Sequence, residues 1–366
     1  MEGGVSEIPN VSPESKEMEP ITLEQTCVIG SVFYKDYQVE NSEGSVRGHE
    51  AIDSLMKIAE KGYKAAVIIG EGTDQKFLDD LKKRLSGLGD KGENIVWHIQ
   101  EKPGYSEARR ESVILAWSKY PETKAFIMQE IEKDLTKDQG YEKFLDALSD
   151  NKILVMMNRG IDAPYNGNYF SDANIPKEQF WGERHQNIEM AGQENAAGLT
   201  KKEHDWDRLS DTRAIRNEEI EIGNTKINPA DLILLKYQYV DGYNEGDRKN
   251  KIDAYSAAVY NMVPILEALG FEDQMAEAPI KYAHSEKQRE QEEGNPVFRA
   301  KRLGHKVDLP AINFDIVANI VEWKKEGKWP SILLEAIKGD HTLNIKHFNE
   351  DDYSLTGTIL RKNPAF

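Results

Sequence analysis

Residues 64–74, KAAVIIGEGTD, decide how the first half of this chain is read. Their first six positions are almost wholly apolar, as a strand buried on both faces must be. Gly70 and Gly72 then permit a tight turn, and Thr73 or Asp74 can cap a helix. A helix does follow in the pattern, with Phe77, Leu78, Leu81 and Leu85 on one face.

Outward from this unit the same alternation recurs. Upstream, residues 26–33 read as a buried strand. Residues 44–62 read as a helix with Ile52, Leu55, Met56 and Ala59 on its apolar side and Gly62 at the C-cap. Downstream, residues 94–99 (NIVWHI), 125–129 (AFIMQ) and 152–157 (KILVMM) read as strands, with helices over 106–119 and about 138–148. Strand and helix alternating with short links predict an α/β fold: a Rossmann-like domain whose mostly parallel sheet is covered by helices in right-handed crossovers. Ligands in such sheets bind outside the carboxyl ends of the strands, where the loops after strands one, two and four all fall.

Composition bounds the rest. A chain of 366 residues holds one or two domains, and 39% hydrophobic with 30% charged residues suits a globular protein. A net charge of −17 argues against a general nucleic-acid or anionic-membrane surface. The single cysteine, Cys27, excludes an intramolecular disulfide, lies in an apolar run as a buried thiol would, and fits a reducing compartment, hence a cytoplasmic protein. No run reaches the ~18 apolar residues of a membrane helix. Residues 1–22 read as a disordered leader, and 23–158 as the α/β domain. Residues 159–228 form a long loop-rich segment with scattered aromatics, and 229–366 a mixed, largely helical C-terminal region. Helices are expected there at 253–269, 285–291, 297–304 and 312–325.

Three clusters carry candidate chemistry. Glu130, Glu132 and Asp134 follow the fourth strand. If the strand's extended form continues, alternate carboxylates share one side and offer hard oxygen ligands to Mg²⁺ or Mn²⁺. The alternative is an acidic helix N-terminus favoured by the dipole. In the Gly70–Asp74 loop an acidic residue can accept bonds from a base or ribose, or simply cap the next helix. Arg109 and Arg110, near the start of the third helix, can clamp a diphosphate or pair with Glu107 and Glu111.

In this order the parts resemble the nucleotide-diphospho-sugar transferase (GT-A) fold, most like the inverting family-2 glycosyltransferases. Val28-Ile29-Gly30-Ser31-Val32-Phe33-Tyr34 stands where that family has an opening V-I-P-V-Y-N strand. Glu71-Gly72-Thr73-Asp74 resembles its D-D-G-S-T-D loop, Ala108-Arg109-Arg110 its A-R-N helix start, and Glu130-Ile131-Glu132 its D-x-D metal motif. The resemblance covers about residues 24–157, and the processive Q-x-x-R-W signature is absent. It implies that 23–158 binds a nucleotide-diphosphate sugar through Val32, Glu71, Gly72, Asp74, Arg109 and Arg110. It also implies a metal on Glu130 and Glu132, and an acceptor side in 229–366. Some enzymes of this fold add a late histidine to the metal and basic residues to the diphosphate, a part open to His284, Lys301 and Arg302, although a plain helix-start histidine is the simpler reading. Asp205 and Asp207, flanking Trp206, are candidates for the acceptor base, against a polar loop anchored by one tryptophan.

The implied function is metal-assisted transfer of a sugar from a nucleotide-diphosphate sugar to a hydroxyl acceptor. One alternative is a non-catalytic nucleotide- or partner-binding protein of the same fold. Another is a nucleotidyltransferase, for which residues 30–48 lack the expected glycine- and arginine-rich loop. Two expectations follow. Glu71, Arg109, Glu130 and Glu132 converge at the carboxyl edge, and Glu132→Gln, as the loss of an exposed carboxylate, leaves stability nearly unchanged.

Overall fold

The computed structural model describes residues 18–101, 104–158, 177–200, 206, 212–222, 225–234, 262–280, 287, 309–333, 342–346 and 355–360. It is an α/β fold with a mostly parallel central sheet and helices on both faces. The expected strands are present as β1 (Thr26–Val32), β2 (Lys64–Ile69), β3 (Ile95–Ile99), β4 (Ala125–Met128) and β5 (Leu154–Asn158). The helices between them are α1 (Glu43–Glu60), α2 (Gln75–Ser86), α3 (Tyr105–Lys119) and α4 (Gly140–Ser149). α1 and α2 begin at capping side chains, Ser42 and Asp74. Ser42 accepts the Ser45 amide at the start of α1, and Gly62 follows its end at φ +86°.

The sheet also takes strands from beyond residue 158. β6 (Arg213–Arg216) runs antiparallel between β4 and β5, and β9 (Met275–Pro279) pairs in parallel with the far side of β5. The order is β3-β2-β1-β4-β6-β5-β9. Two small antiparallel pairs stand apart, β7 (Ile220–Ile222) with β8 (Thr225–Ile227) and β10 (Thr342–Lys346) with β11 (Leu355–Leu360).

Alternation along the strands divides the core. Val28, Val32, Val67, Ile69 and Ile127 face α1, α2 and α4, whereas Cys27, Ile29, Ala66, Ile68 and Met128 face α3 and the later helices. Those later helices are α5 (Lys177–Ala196), α6 (Met262–Ala268) and α7 (Leu309–Lys325). The segment expected to be loop-rich therefore supplies a long helix and a central strand. The helices expected over 285–291 and 297–304 lie outside the described residues, apart from Lys287. Cys27 is fully buried, and burial pushes its thiol pKa up, as a structural cysteine requires.

The disordered leader expected over 1–22 does not include residues 18–22. Ile21 is buried, the Met18 amide donates to Asn151 Oδ1 at 2.8 Å, and Glu19 pairs with Lys124 at 2.8 Å. Residues 1–17 lie outside the described residues. Among the described residues, no helix is long and apolar enough to cross a membrane.

Candidate functional site

The strand order reverses at β1, with β2 and β3 on one side and β4 on the other. Such a reversal opens a crevice outside the carboxyl ends of the strands, the usual ligand position in open α/β sheets. Phe33 and Tyr34 follow β1 at this edge, Phe33 half exposed and Tyr34 buried against Phe77, and residues 129–133 leave β4 beside them. Backbone bonds tie the loops of this edge together. Gly70 N donates to Val32 O at 2.8 Å, Asp74 N to Tyr34 O at 2.8 Å, and Gln129 N to Ile29 O at 3.1 Å.

The run after β4 is a turn rather than a continued strand. Ile131 is fully buried and folds back over β1, where Gly30 leaves room for it. A Cβ on Gly30 would stand 2.6 Å from both Ile131 Cδ1 and the Gln129 carbonyl oxygen. Inside the turn, the Gln129 side chain donates to Lys133 O at 3.2 Å and accepts from the Tyr141 hydroxyl at 2.8 Å. The one-sided array expected of Glu130, Glu132 and Asp134 is consequently not formed. The apolar residue between the glutamates takes the core, and the acids separate to different partners.

Asp134 pairs with Lys57 at 2.6 Å and accepts the Thr136 amide at 3.0 Å. Glu132, only 7% exposed, accepts from Arg47 through Nε at 2.9 Å and through Nη2, and the Tyr34 hydroxyl approaches it at 3.5 Å. Burial first, and the negative charge of Glu132 next, raise the Tyr34 phenol well above its ordinary pKa, so Tyr34 is a neutral donor. Glu130 is half-buried, with the Lys133 ammonium 3.7 Å away. As placed, the glutamate pair is a poor fit to Mg²⁺ or Mn²⁺, which need an open face for carboxylate, phosphate and water oxygens together. Among the described residues, no group of three or more His, Cys, Asp or Glu side chains gathers to hold an ion. His284 lies outside those residues.

In the loop after β2, Glu71 is exposed and Gly72 takes φ +83°. Asp74 caps α2, accepting the Lys76 amide at 3.0 Å, and it also accepts the Gln38 side chain at 2.7 Å and the Gln38 amide at 3.2 Å. Both readings of this loop were open from the sequence, and the cap accounts for the aspartate. Asp74→Ala is expected to lower the melting temperature slightly, by roughly 1–2 °C in a thermal melt, through loss of the cap. Val32 is buried under α1 and α2, so only its backbone belongs to the edge.

Arg109 and Arg110 are both buried near the start of α3. Arg110 is paired with Glu107 through Nη2 at 2.5 Å and Nε at 3.1 Å, the pairing that competed with a diphosphate clamp. Glu111 accepts the Glu101 amide at 3.1 Å. Glu71, Arg109, Glu130 and Glu132 thus all sit on elements of one sheet edge, while Glu132 is turned toward α1 and Arg109 belongs to α3 on the opposite face. Trp206 is buried in the core, which suits an anchored loop. Asp205, Asp207, Lys301 and Arg302 lie outside the described residues.

Phe33 is a member of this edge that pattern reading missed. It is 50% exposed, its ring lies against Gly70, where a Cβ would come 2.7 Å from the ring, and Lys35 Nζ stands 5.0 Å from the ring centroid. The ring is thus half in solvent at the switch-point edge, with the Lys35 ammonium over it in a cation–π contact. In the sequence it was hidden as the last apolar residue of a strand.

No protein-family model matches this chain, and no curated protein matches it.

Proposed function

We propose that this protein binds a nucleotide-diphosphate sugar in the crevice between the ends of β1 and β4 and transfers the sugar to a hydroxyl acceptor. The observation that carries the reading is the Phe33 platform. A half-exposed ring seated on Gly70, with Lys35 over it, stands at the strand-order reversal where α/β sheets take nucleotides. The order of loops along residues 24–157 supports the same reading, since each part resembling the transferase fold falls on this edge. Phe33 would stack on the base once the Lys35 ammonium over its ring swings aside to meet phosphate charge, while the loop from Glu71 to Asp74 bounds the crevice on the β2 side.

The test is a calorimetric titration of UDP and of GDP into the wild type and Phe33→Ala. Loss of one base-stacking contact is expected to weaken binding about tenfold, within the ~1–3 kcal/mol range for such contacts. Melting should stay within about 2 °C, because the ring is half in solvent. Equal affinity in the two proteins removes the platform from the site, and no binding of either nucleotide ends the proposal.

A second reading, a binding protein of the same fold without transferase activity, is favoured by two contacts. Glu132 is already engaged by Arg47, and Asp74 by the α2 cap. Turnover of UDP- and GDP-sugars followed by mass spectrometry separates the two, because only the first releases the nucleoside diphosphate.

A further inference from the structure

We propose that nucleotide binding at this edge is independent of divalent metal, because Arg47 occupies the carboxylate that an ion would need. The inference rests on the nucleotide site proposed above and concerns how that site balances charge.

Arg47 lies in the first turns of α1, which opens at the carboxyl edge of the sheet. Its guanidinium bridges two acids. Nε donates to Glu132 Oε1 at 2.9 Å, Nη2 donates to the same oxygen, and Nη1 donates to Glu43 Oε1 at 3.0 Å. The Glu132 side chain keeps 4% of its surface, whereas Arg47 keeps 26% and Glu43 50%. An inner-sphere Mg²⁺ or Mn²⁺ requires a carboxylate oxygen at about 2.1 Å and room for its remaining oxygens. At Glu132 that room is filled by a planar cation and by Tyr34, and an added ion would stand against the guanidinium with like charge.

The neighbouring acid is balanced in the same way, since the almost fully buried Lys133 ammonium lies 3.7 Å from Glu130. Two carboxylates where the transferase resemblance implies a metal are thus each accompanied by a resident side-chain cation. Charge on a bound diphosphate is then met by side chains, with Lys35 the cation beside the exposed ring. Glu132 is accordingly a positioning residue for Arg47.

Two measurements test this, and they fail separately. The first uses Mn²⁺ alone, with free ion followed by electron paramagnetic resonance, and takes each protein against its Glu132→Gln counterpart. The wild type should show no Glu132-dependent uptake. Arg47→Met should gain it, with affinity at least about tenfold above the wild type's, because the like charge and the competing donors are removed. Should Arg47→Met fail to fold, Arg47→Gln serves: it keeps a donor to Glu132, removes the like charge, and should also gain uptake. Glu132-dependent Mn²⁺ uptake by the wild type overturns the proposal, as does its absence from every folded Arg47 variant.

The second measurement titrates UDP and GDP into the wild type in EDTA and in Mn²⁺. Binding in EDTA at least as tight as in Mn²⁺ is expected, since the site needs no ion and free Mn²⁺ only competes for the nucleotide. Binding that appears only with Mn²⁺ overturns the metal independence and leaves the nucleotide site standing. Binding in neither buffer ends the proposed function, while the Mn²⁺ titration still decides the state of Glu132.

Discussion

Gly30→Val is expected to destabilise the protein by about 3 kcal/mol or more, at or beyond the upper end of ordinary overpacking. The added carbons have nowhere to go. The first alone meets the Gln129 carbonyl oxygen and Ile131 Cδ1 at 2.6 Å, and a backbone carbonyl at the end of a sheet strand cannot rotate aside as a side chain can. Relief requires the turn after β4 to lift from β1, which withdraws Glu132 from Arg47 and leaves a buried carboxylate poorly paired. The effect should appear in urea unfolding as a lower midpoint with an unchanged slope. Gly30→Ala should lie between the two proteins. Wild-type stability in the valine variant would mean that the turn is not held down by close packing.

Arg216→Met should cost about 2–4 kcal/mol and lower the melting temperature by roughly 3–5 °C. Arg216 is fully buried and distributes its donors over separate parts of the chain. It reaches Lys152 O at 3.0 Å, Leu148 O at 2.7 Å, Glu19 O at 3.2 Å and the Glu218 carboxylate at 2.7 Å. Methionine fills much of the volume but strands carbonyls that have lost their donor. The Glu218 term is small, because that carboxylate is partly in solvent. Arg216→Lys should recover only part of the loss, since one ammonium cannot span the same set of acceptors. A melting curve unchanged by Arg216→Met would show that water replaces the guanidinium at no cost.

These two residues also show what the sequence disclosed and what it withheld. β1 to β5 and α1 to α4 were legible because their apolar residues repeat with the period of their own element, and their ends carry glycine or a capping residue. β6 was not. Its sequence, Arg213-Ala214-Ile215-Arg216, places two charged residues in the middle of the sheet, and only distant partners make that burial tolerable. β9, with Glu277 inside it, was masked in the same way. At the site, loops following strands were legible as an edge, and the reading of Asp74 as a cap was available locally.

The fate of Glu132 was not legible. Its partner Arg47 lies 85 residues away in the chain, so a residue taken for an exposed carboxylate is nearly buried. Glu132→Gln is therefore expected to lower stability measurably, by about 1–3 kcal/mol, rather than leave it unchanged, and a thermal melt decides between these. The Ile131 plug that turns the acids apart is a tertiary effect, set by a glycine on a neighbouring strand.

The strap formed by residues 18–25 has a practical consequence for where a probe reports. Met18 is fastened to Asn151, and Glu19 to Arg216 and Lys124, all at the amino ends of the parallel strands. The crevice with Phe33 lies at the other ends, about 20 Å away for strands of this length. Met18, where the described residues begin, thus lies on the side away from the crevice. A probe attached at Met18 would therefore report on the Asn151 and Arg216 end of the sheet and stay about 20 Å from Phe33 and Lys35.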